Sequence, residues 1–295
     1  MPATHFICSD KEKIEISQCL SMRGCRLNDR CCPMPYLRAV AFDREYRGIS
    51  PSMAGNGARL IWLKATTDYA IDPDKRAFAI LGVGTHAKLS NPMYTHNVLS
   101  EEPLREETRQ EIADLLEEDE YSSGRYILTD FKSFGSFKVR RALGIQSRKI
   151  PVLDNYGNPV LLKSGPNKGR PKTINENFQD QDFADVRNET LQLNRYRMGF
   201  ESKGFPVSKM CLFVIIRDGG LQATINQGIT TNTIKIPIPR LPDENVITFY
   251  DELERQVNNA FKVGYVHKCG DYESWNGRRC DGYCEVSEKC KELGP

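Results

Sequence analysis

The sequence carries little excess charge of either sign. Across 295 residues, 41 Lys and Arg stand against 39 Asp and Glu, for a net charge of +2. That excludes a whole-molecule electrostatic hold on nucleic acid, so any such contact must rest on a local basic patch. Long apolar runs are also missing. "MCLFVII" (210–216) is among the longest and reads as a buried strand, not a membrane span, and no membrane partner is expected. The opening "MPATHFICSDKEKIE" has no signal-peptide core. A reducing, cytoplasmic setting is therefore expected, where cysteines serve as metal ligands more often than as disulfides. No G-x-x-x-x-G-K-[S/T] occurs, so any strand unwinding is expected from another chain. There is no solenoid-type repeat and no tight C-x2-C pair.

What is present is the material of a globular α/β protein. Hydrophobic residues make up 39% and charged residues 27%, enough for a real core. The length suits one large domain or two ordinary ones. Three parts are expected: a cysteine-rich segment over 1–38, a mixed α/β body over 39–263, and a polar cysteine-rich tail over 264–295. In the body, helical spacing marks "ARLIWLKAT", "DKRAFAILGVGTHAKLS", "SFKVRRAL", "DVRNETLQLNRYRMGFESKG" and "ENVITFYDELERQVNNAFKVG". Strands are expected around "RQEIADLLEE", "RYILTDFKS", "SKMCLFVIIRD", "GLQATINQG" and "NTIKIPIPR". "LKSGPNKGRPKTINENFQDQD" (162–182) reads as a long loop. Strands with helices on both sides suggest a central mixed sheet.

Two strands carry acids where apolar residues would be cheaper to bury. In "RYILTDFKS" alternation turns Leu128, Asp130 and Lys132 one way and Ile127, Thr129 and Phe131 the other. In "EIADLLEEDE", Asp114 sits among Ile112, Ala113, Leu115 and Leu116. A carboxylate within an apolar run is costly unless something pairs it. The bland alternative for Asp130 and Lys132 is a solvated ion pair at a strand end, worth little. The sharper one is that two acids on adjacent strands share a hard divalent cation while a neighbouring lysine holds the attacking water, a set able to hydrolyse a phosphodiester.

Asp114 followed by Asp130-Phe131-Lys132 resembles the PD-(D/E)xK nuclease signature. "GTHAKL" places His86 on a helix, as in the RecB-like branch of that family. "QLNRY" places Gln192 and Tyr196 four apart on one helix face, like the branch's Q-x-x-x-Y motif. The resemblance covers about residues 39–263 and looks closest to stand-alone exonucleases of phages and CRISPR loci. It implies a restriction-endonuclease-like α/β core with a central mixed sheet. It also implies magnesium or manganese held by Asp114 and Asp130 with His86 completing the shell. Lys132 would orient water and stabilise charge at the phosphate, and Gln192 and Tyr196 would position the substrate backbone or the lysine. DNA is the implied partner, with a helicase, recombinase or CRISPR protein as companion.

The cysteines form a second signal. Cys8, Cys19, Cys25 and Cys31 are spaced C-x10-C-x5-C-x5-C; Cys269, Cys280, Cys284 and Cys290 are spaced C-x10-C-x3-C-x5-C. Thiolates suit zinc or an iron–sulfur cluster, and the spacing does not choose between them. Cys211, in "KMCLFVII", reads as a buried free thiol. Two separate four-cysteine sites are one partition. The RecB-like resemblance offers another, a single cluster joining Cys32 of "CCPMPYL" to Cys280, Cys284 and Cys290 and so tying the chain ends together.

Cations that could grip a phosphate backbone are Lys138, Arg140 and Arg141 in "FKVRRAL" and Lys163, Lys168, Arg170 and Lys172 in "KSGPNKGRPK". Tyr121, Phe134 and Phe137 could stack bases; solvated loops are the plain alternative. Two functions follow: a metal-dependent deoxyribonuclease, or a non-catalytic nucleic-acid-binding protein that uses the same fold and cysteine sites as a platform.

Overall fold

The structure is a computed structural model and describes residues 3–21, 23–42, 45–89, 99–103 and 112–294. The chain opens with β1 (His5–Ile7), β2 (Lys13–Glu15), α1 (Ile16–Leu20), α2 (Met34–Ala41), α3 (Ala58–Thr66) and β3 (Ala70–Ile71). Next come α4 (Ala77–Leu89), β4 (Leu99–Pro103), β5 (Ile112–Glu118), β6 (Tyr126–Phe134) and α5 (Ser136–Leu143). The middle holds β7 (Ile145–Pro151), β8 (Thr173–Gln179), α6 (Arg187–Ser202), β9 (Val207–Ile216), α7 (Gln222–Asn226) and β10 (Thr233–Ile238). The chain ends with α8 (Asp243–Val263), α9 (Asp271–Ser274), α10 (Arg278–Gly282) and α11 (Ser287–Glu292). The class is mixed α/β. A three-stranded sheet runs β2-β1-β3, a five-stranded sheet β10-β9-β6-β5-β4, and a two-stranded sheet β7-β8.

The chain divides into two compact units. The first holds Met1–Asp130, Asn188–Met210 and Pro239–Pro295; the second holds Phe131–Arg187 and Cys211–Ile238. Strands β6 and β9 run through both. Tyr126 N–H donates to the Pro206 carbonyl at the start of the pair, and Arg217 N–H donates to the Phe134 carbonyl at its end. The two strands therefore run in the same direction, while β4, β5 and β6 are antiparallel. That makes the sheet mixed, as expected.

In the first unit, α3 is buried along Ala58–Leu63, six residues in a row. Five of the six are apolar, and burial on consecutive positions means that the helix has neighbours on every side. One of them is α8, whose Val246, Tyr250, Leu253, Val257 and Ala260 recur at helical spacing and are buried. Both chain ends close on the same core. Phe6, Ile14, Leu37, Val40, Leu60, Leu63 and Ile71 pack with Ala260 and Val286, and Cys19, Cys32, Cys269, Cys284 and Cys290 lie against them. Arg59, 1% exposed, donates from Nη2 to the carbonyls of Cys290 (3.0 Å) and Gly294 (2.7 Å). Lys64 and Arg76 both pair with Glu285. A Cβ at Gly57 would stand 2.7 Å from Cys269 Sγ, so the tail's approach to α3 needs glycine there.

In the second unit, α5 stops at Gly144 (φ 67°), whose N–H returns to the Arg140 and Arg141 carbonyls. A side chain there would collide with the Asp180 carbonyl at 2.0 Å. Two sequence expectations are corrected in this unit. "GLQATINQG" is not a strand: Gln222–Asn226 is the short helix α7, with the buried Thr224 hydroxyl bonded to the Asp218 carbonyl. The stretch 162–182 is not all loop, because Thr173–Gln179 is β8, paired antiparallel with β7 from Ile145↔Gln179 to Pro151↔Thr173. Asn and Gln density hid this strand, since an exposed ribbon needs no apolar alternation.

Candidate functional site

The register of β5 on β6 runs from Glu118↔Tyr126 to Leu115↔Thr129. One step further sets Asp114 opposite Asp130, and directly opposite residues share a face with Cβ atoms about 5 Å apart. On that face Leu116 and Leu128, each 1% exposed, form the neighbouring pair. The acids therefore lie beside a buried apolar pair, with Lys132 two residues on from Asp130. Asp130 is 2% exposed.

Helices supply the partners of these carboxylates. Gln192 on α6 donates from Nε2 to Asp130 Oδ1 at 3.3 Å, and the same amide nitrogen lies 3.2 Å from the Tyr196 hydroxyl. The one-turn spacing of the Q-x-x-x-Y pair thus becomes a buried chain of contacts ending on Asp130. His86 on α4 brings Nδ1 to 3.2 Å from Asp114 Oδ1. Lys132 lies two residues beyond Asp130 on β6. The sequence pointed to Gln192 and Tyr196 but not to Asp130 as the group they serve; only packing of α6 gives that.

Two carboxylates suit a hard cation, which often takes one or two protein carboxylates and completes its shell with water and phosphate oxygens. Among the described residues, no three His, Cys, Asp or Glu side chains are gathered closely enough to hold a metal ion. Asp114 and Asp130 offer the oxygen donors that magnesium or manganese takes, while a converged triad of His86, Asp114 and Asp130 is absent among those residues.

The ten cysteines are all free, and nine of them fall into two stretches of the chain. Cys8 lies in the turn after β1, Cys19 on α1, and Cys25 and Cys31 between α1 and α2. Burial raises the Cys19 thiol pKa, Arg30 opposes the rise, and nearby Cys31, Cys25 and Cys8 add to it. Cys32 belongs here too: burial raises it first, and Cys31 acts on it by charge and hydrogen bond. At the other end Cys280 is on α10 and Cys290 on α11. Burial raises Cys269 and Cys284, with Cys290 acting on the first and Cys280 and Cys269 on the second. The thiol chemistry fits a soft metal, but the thiols are neighbours without converging. Cys211 is buried on β9, as expected of a plain core thiol.

The candidate phosphate-binding cations split. Arg140 donates to the Ile145 carbonyl and the Ser147 hydroxyl, and Arg141 is paired with Asp185, so both serve the local fold. Lys138 lies over the Phe134 ring at 5.5 Å. Lys163, Lys168, Arg170 and Lys172 are exposed and make no ion pair among the described residues. Tyr121 and Phe137 are exposed, with Lys209 over the Tyr121 ring. Sequence reading missed Asp119. Its buried carboxylate accepts from Ser208 Oγ and pairs with Lys209, and its pKa is lowered, chiefly by the Ser208 hydrogen bond.

No family model matches the chain, and no curated protein matches it. The chain is similar to a solved structure described as "Crystal structure of SSO0001", at 12% identity and a TM-score of 0.38, covering 87% of this chain and 92% of that one. A likeness that distant carries no argument about fold family or function.

Proposed function

We propose that the protein is a magnesium- or manganese-dependent deoxyribonuclease with a PD-(D/E)xK core of RecB-like type, acting on DNA ends in phage replication, recombination or CRISPR-related processing. The observation that carries this reading is the register of β5 on β6, which continued one step beyond Leu115↔Thr129 sets Asp114 across from Asp130, each met by a helix-borne polar side chain. A structural ion pair would not call for two acids on one face beside the buried Leu116 and Leu128. In this reading Asp114 and Asp130 hold the cation, which supplies charge neutralisation at the phosphate and a more acidic water. Lys132 orients the attacking water and stabilises charge on the phosphoryl oxygens. Gln192 fixes the rotamer of Asp130, Tyr196 fixes Gln192, and His86 steadies Asp114. The cysteine groups, loaded with zinc or an iron–sulfur cluster, would lock the two chain ends onto their shared core.

The test is digestion of end-labelled single- and double-stranded DNA with magnesium or manganese. Cleavage that survives excess chelator overturns the proposal. The non-catalytic reading is favoured by one observation, the lack of three converged ligands among the described residues. It predicts DNA binding without cleavage under any divalent ion.

A further inference from the structure

The segment between α5 and α6 is more than a connection. β7 and β8 pair over seven positions, and both strands are largely open to solvent. Beyond them the chain folds again. Val160 N–H donates to the Val152 carbonyl, Lys172 N–H to Val160, and Val152 N–H to Lys172, all within 2.8 Å. Leu162 N–H donates to Arg170, and the Asp154 carboxylate accepts from the N–H groups of Tyr156 and Asn158. The tip is a small ordered meander, so its cations stand on a scaffold.

Charge on this arm is one-sided. Residues 145–179 carry Arg148, Lys149, Lys163, Lys168, Arg170 and Lys172 against Asp154 and Glu176, in a protein whose net charge is only +2. Arg148 is taken up by Glu176 and the Phe178 ring. The other five cations have no ion-pair partner among the described residues. A two-stranded ribbon is marginal by itself; here the base rests on Arg140 and Asn226 through Ser147 and Asn177, and the outer part exposes Leu153, Tyr156, Leu161 and Ile174. One face is polar: Lys149 lies opposite Asn175, and Ser147 is bonded to Asn177.

We infer that the β7–β8 ribbon and its tip form a docking arm for double-stranded DNA, with the ribbon in the major groove and the tip cations on flanking phosphates. The choice of DNA among polyanions rests on the nuclease reading above. Two strands about 4.8 Å apart with their side chains make a ribbon about 10 Å wide, and the major groove of B-DNA is about 12 Å wide. The deep, narrow groove of duplex RNA refuses such a ribbon. Lys149 and Asn175 present a cation and an amide, groups suited to base edges.

The test is equilibrium binding by fluorescence anisotropy with the full-length protein, in chelator so that no cleavage intervenes, over a series of salt concentrations. The probes are a short blunt DNA duplex, an RNA duplex of the same sequence, and the DNA single strand. Wild type should bind the DNA duplex at least about tenfold more tightly than the RNA duplex. The variant K163A/K168A/R170A/K172A should lose about tenfold or more on the DNA duplex. Its plot of log affinity against log salt should flatten by up to about 3.6, while single-strand affinity shifts less than about threefold. Circular dichroism and melting temperature should match wild type, since the four side chains are exposed. Unchanged duplex affinity and slope, or equal loss on duplex and single strand, overturns the inference. A protein that binds duplex through the arm but never cleaves sinks the nuclease reading alone. Cleavage lost in Asp130→Ala, with wild-type duplex binding by the quadruple variant, sinks the arm alone.

Discussion

Asp130 and Cys284 belong to the same compact unit, one buried and the other half-buried, and the chain treats them in opposite ways. Asp130 is buried with a donor in place on one oxygen: Gln192 reaches its Oδ1, and Tyr196 lies beside Gln192. Cys284 lies among other thiols, and burial pushes its pKa up. A carboxylate cannot wait unpaired in a core, because burying its charge costs too much. A thiol can, since its neutral form is nearly apolar. The acids are therefore met by partners the polypeptide supplies, whereas in the proposed reading a metal would draw the cysteine groups together.

The sharpest way to break this contrast is at the acids. Asp130→Ala and Lys132→Ala should each lower DNA cleavage by about 10³-fold, with circular dichroism unchanged. Wild-type rates in either would end the active-site assignment. Trimming a support should show in both readouts: Gln192→Ala is expected to reduce cleavage by about 10- to 100-fold and, because it takes a donor from a buried carboxylate, to lower the melting temperature by a few degrees. A collapse in stability instead would make Gln192 a fold residue.

The cysteine half of the contrast is tested by metal content. With two separate groups, Cys19→Ser loses one metal centre and Cys284→Ser the other, and Cys32→Ser is close to silent. With one cluster bridging the ends, Cys32→Ser and Cys280→Ser lose the same centre and Cys8→Ser matters little. Metal analysis and visible absorbance of protein purified without oxygen separate the two. No bound metal in any preparation would reduce the thiols to plain structure.

The smallest effect concerns Asp119, a buried carboxylate outside the acid pair. Its pKa is depressed, first by the Ser208 hydrogen bond. A depressed folded pKa means its contribution to stability is present above the ordinary carboxylate range, about pH 3.9, and is lost as pH falls through the lower folded value. Melting temperature measured from neutral to acid pH should fall less steeply in Asp119→Asn than in wild type, from a lower starting point. Identical slopes would show that the carboxylate is not selectively stabilised.

Much of the fold was legible because burial leaves a period in the sequence. Val246, Tyr250, Leu253 and Val257 fix α8 by spacing, and "SFKVRRAL" ends at Gly144, where the left-handed cap falls. The ribbon and α7 were not legible, for the same reason in reverse. Their residues are mostly exposed, so "TINENFQ" carries no alternation and "QATIN" is too short to show a helical period.

By itself the sequence determined which chemical groups the protein owns: an Asp and an Asp-x-Lys on separate strands, a Gln and a Tyr one helical turn apart, two cysteine-rich ends, and cations between α5 and α6. Composition and periodicity are local, and these are local facts. Tertiary structure alone decided who meets whom. The antiparallel register of β5 on β6 set Asp114 across from Asp130. The packing of α6 turned Gln192 onto Asp130, and the shared core brought Val286 to Phe6. Such meetings join residues tens to hundreds of positions apart, and no local pattern encodes them. They follow from which apolar faces can be buried together.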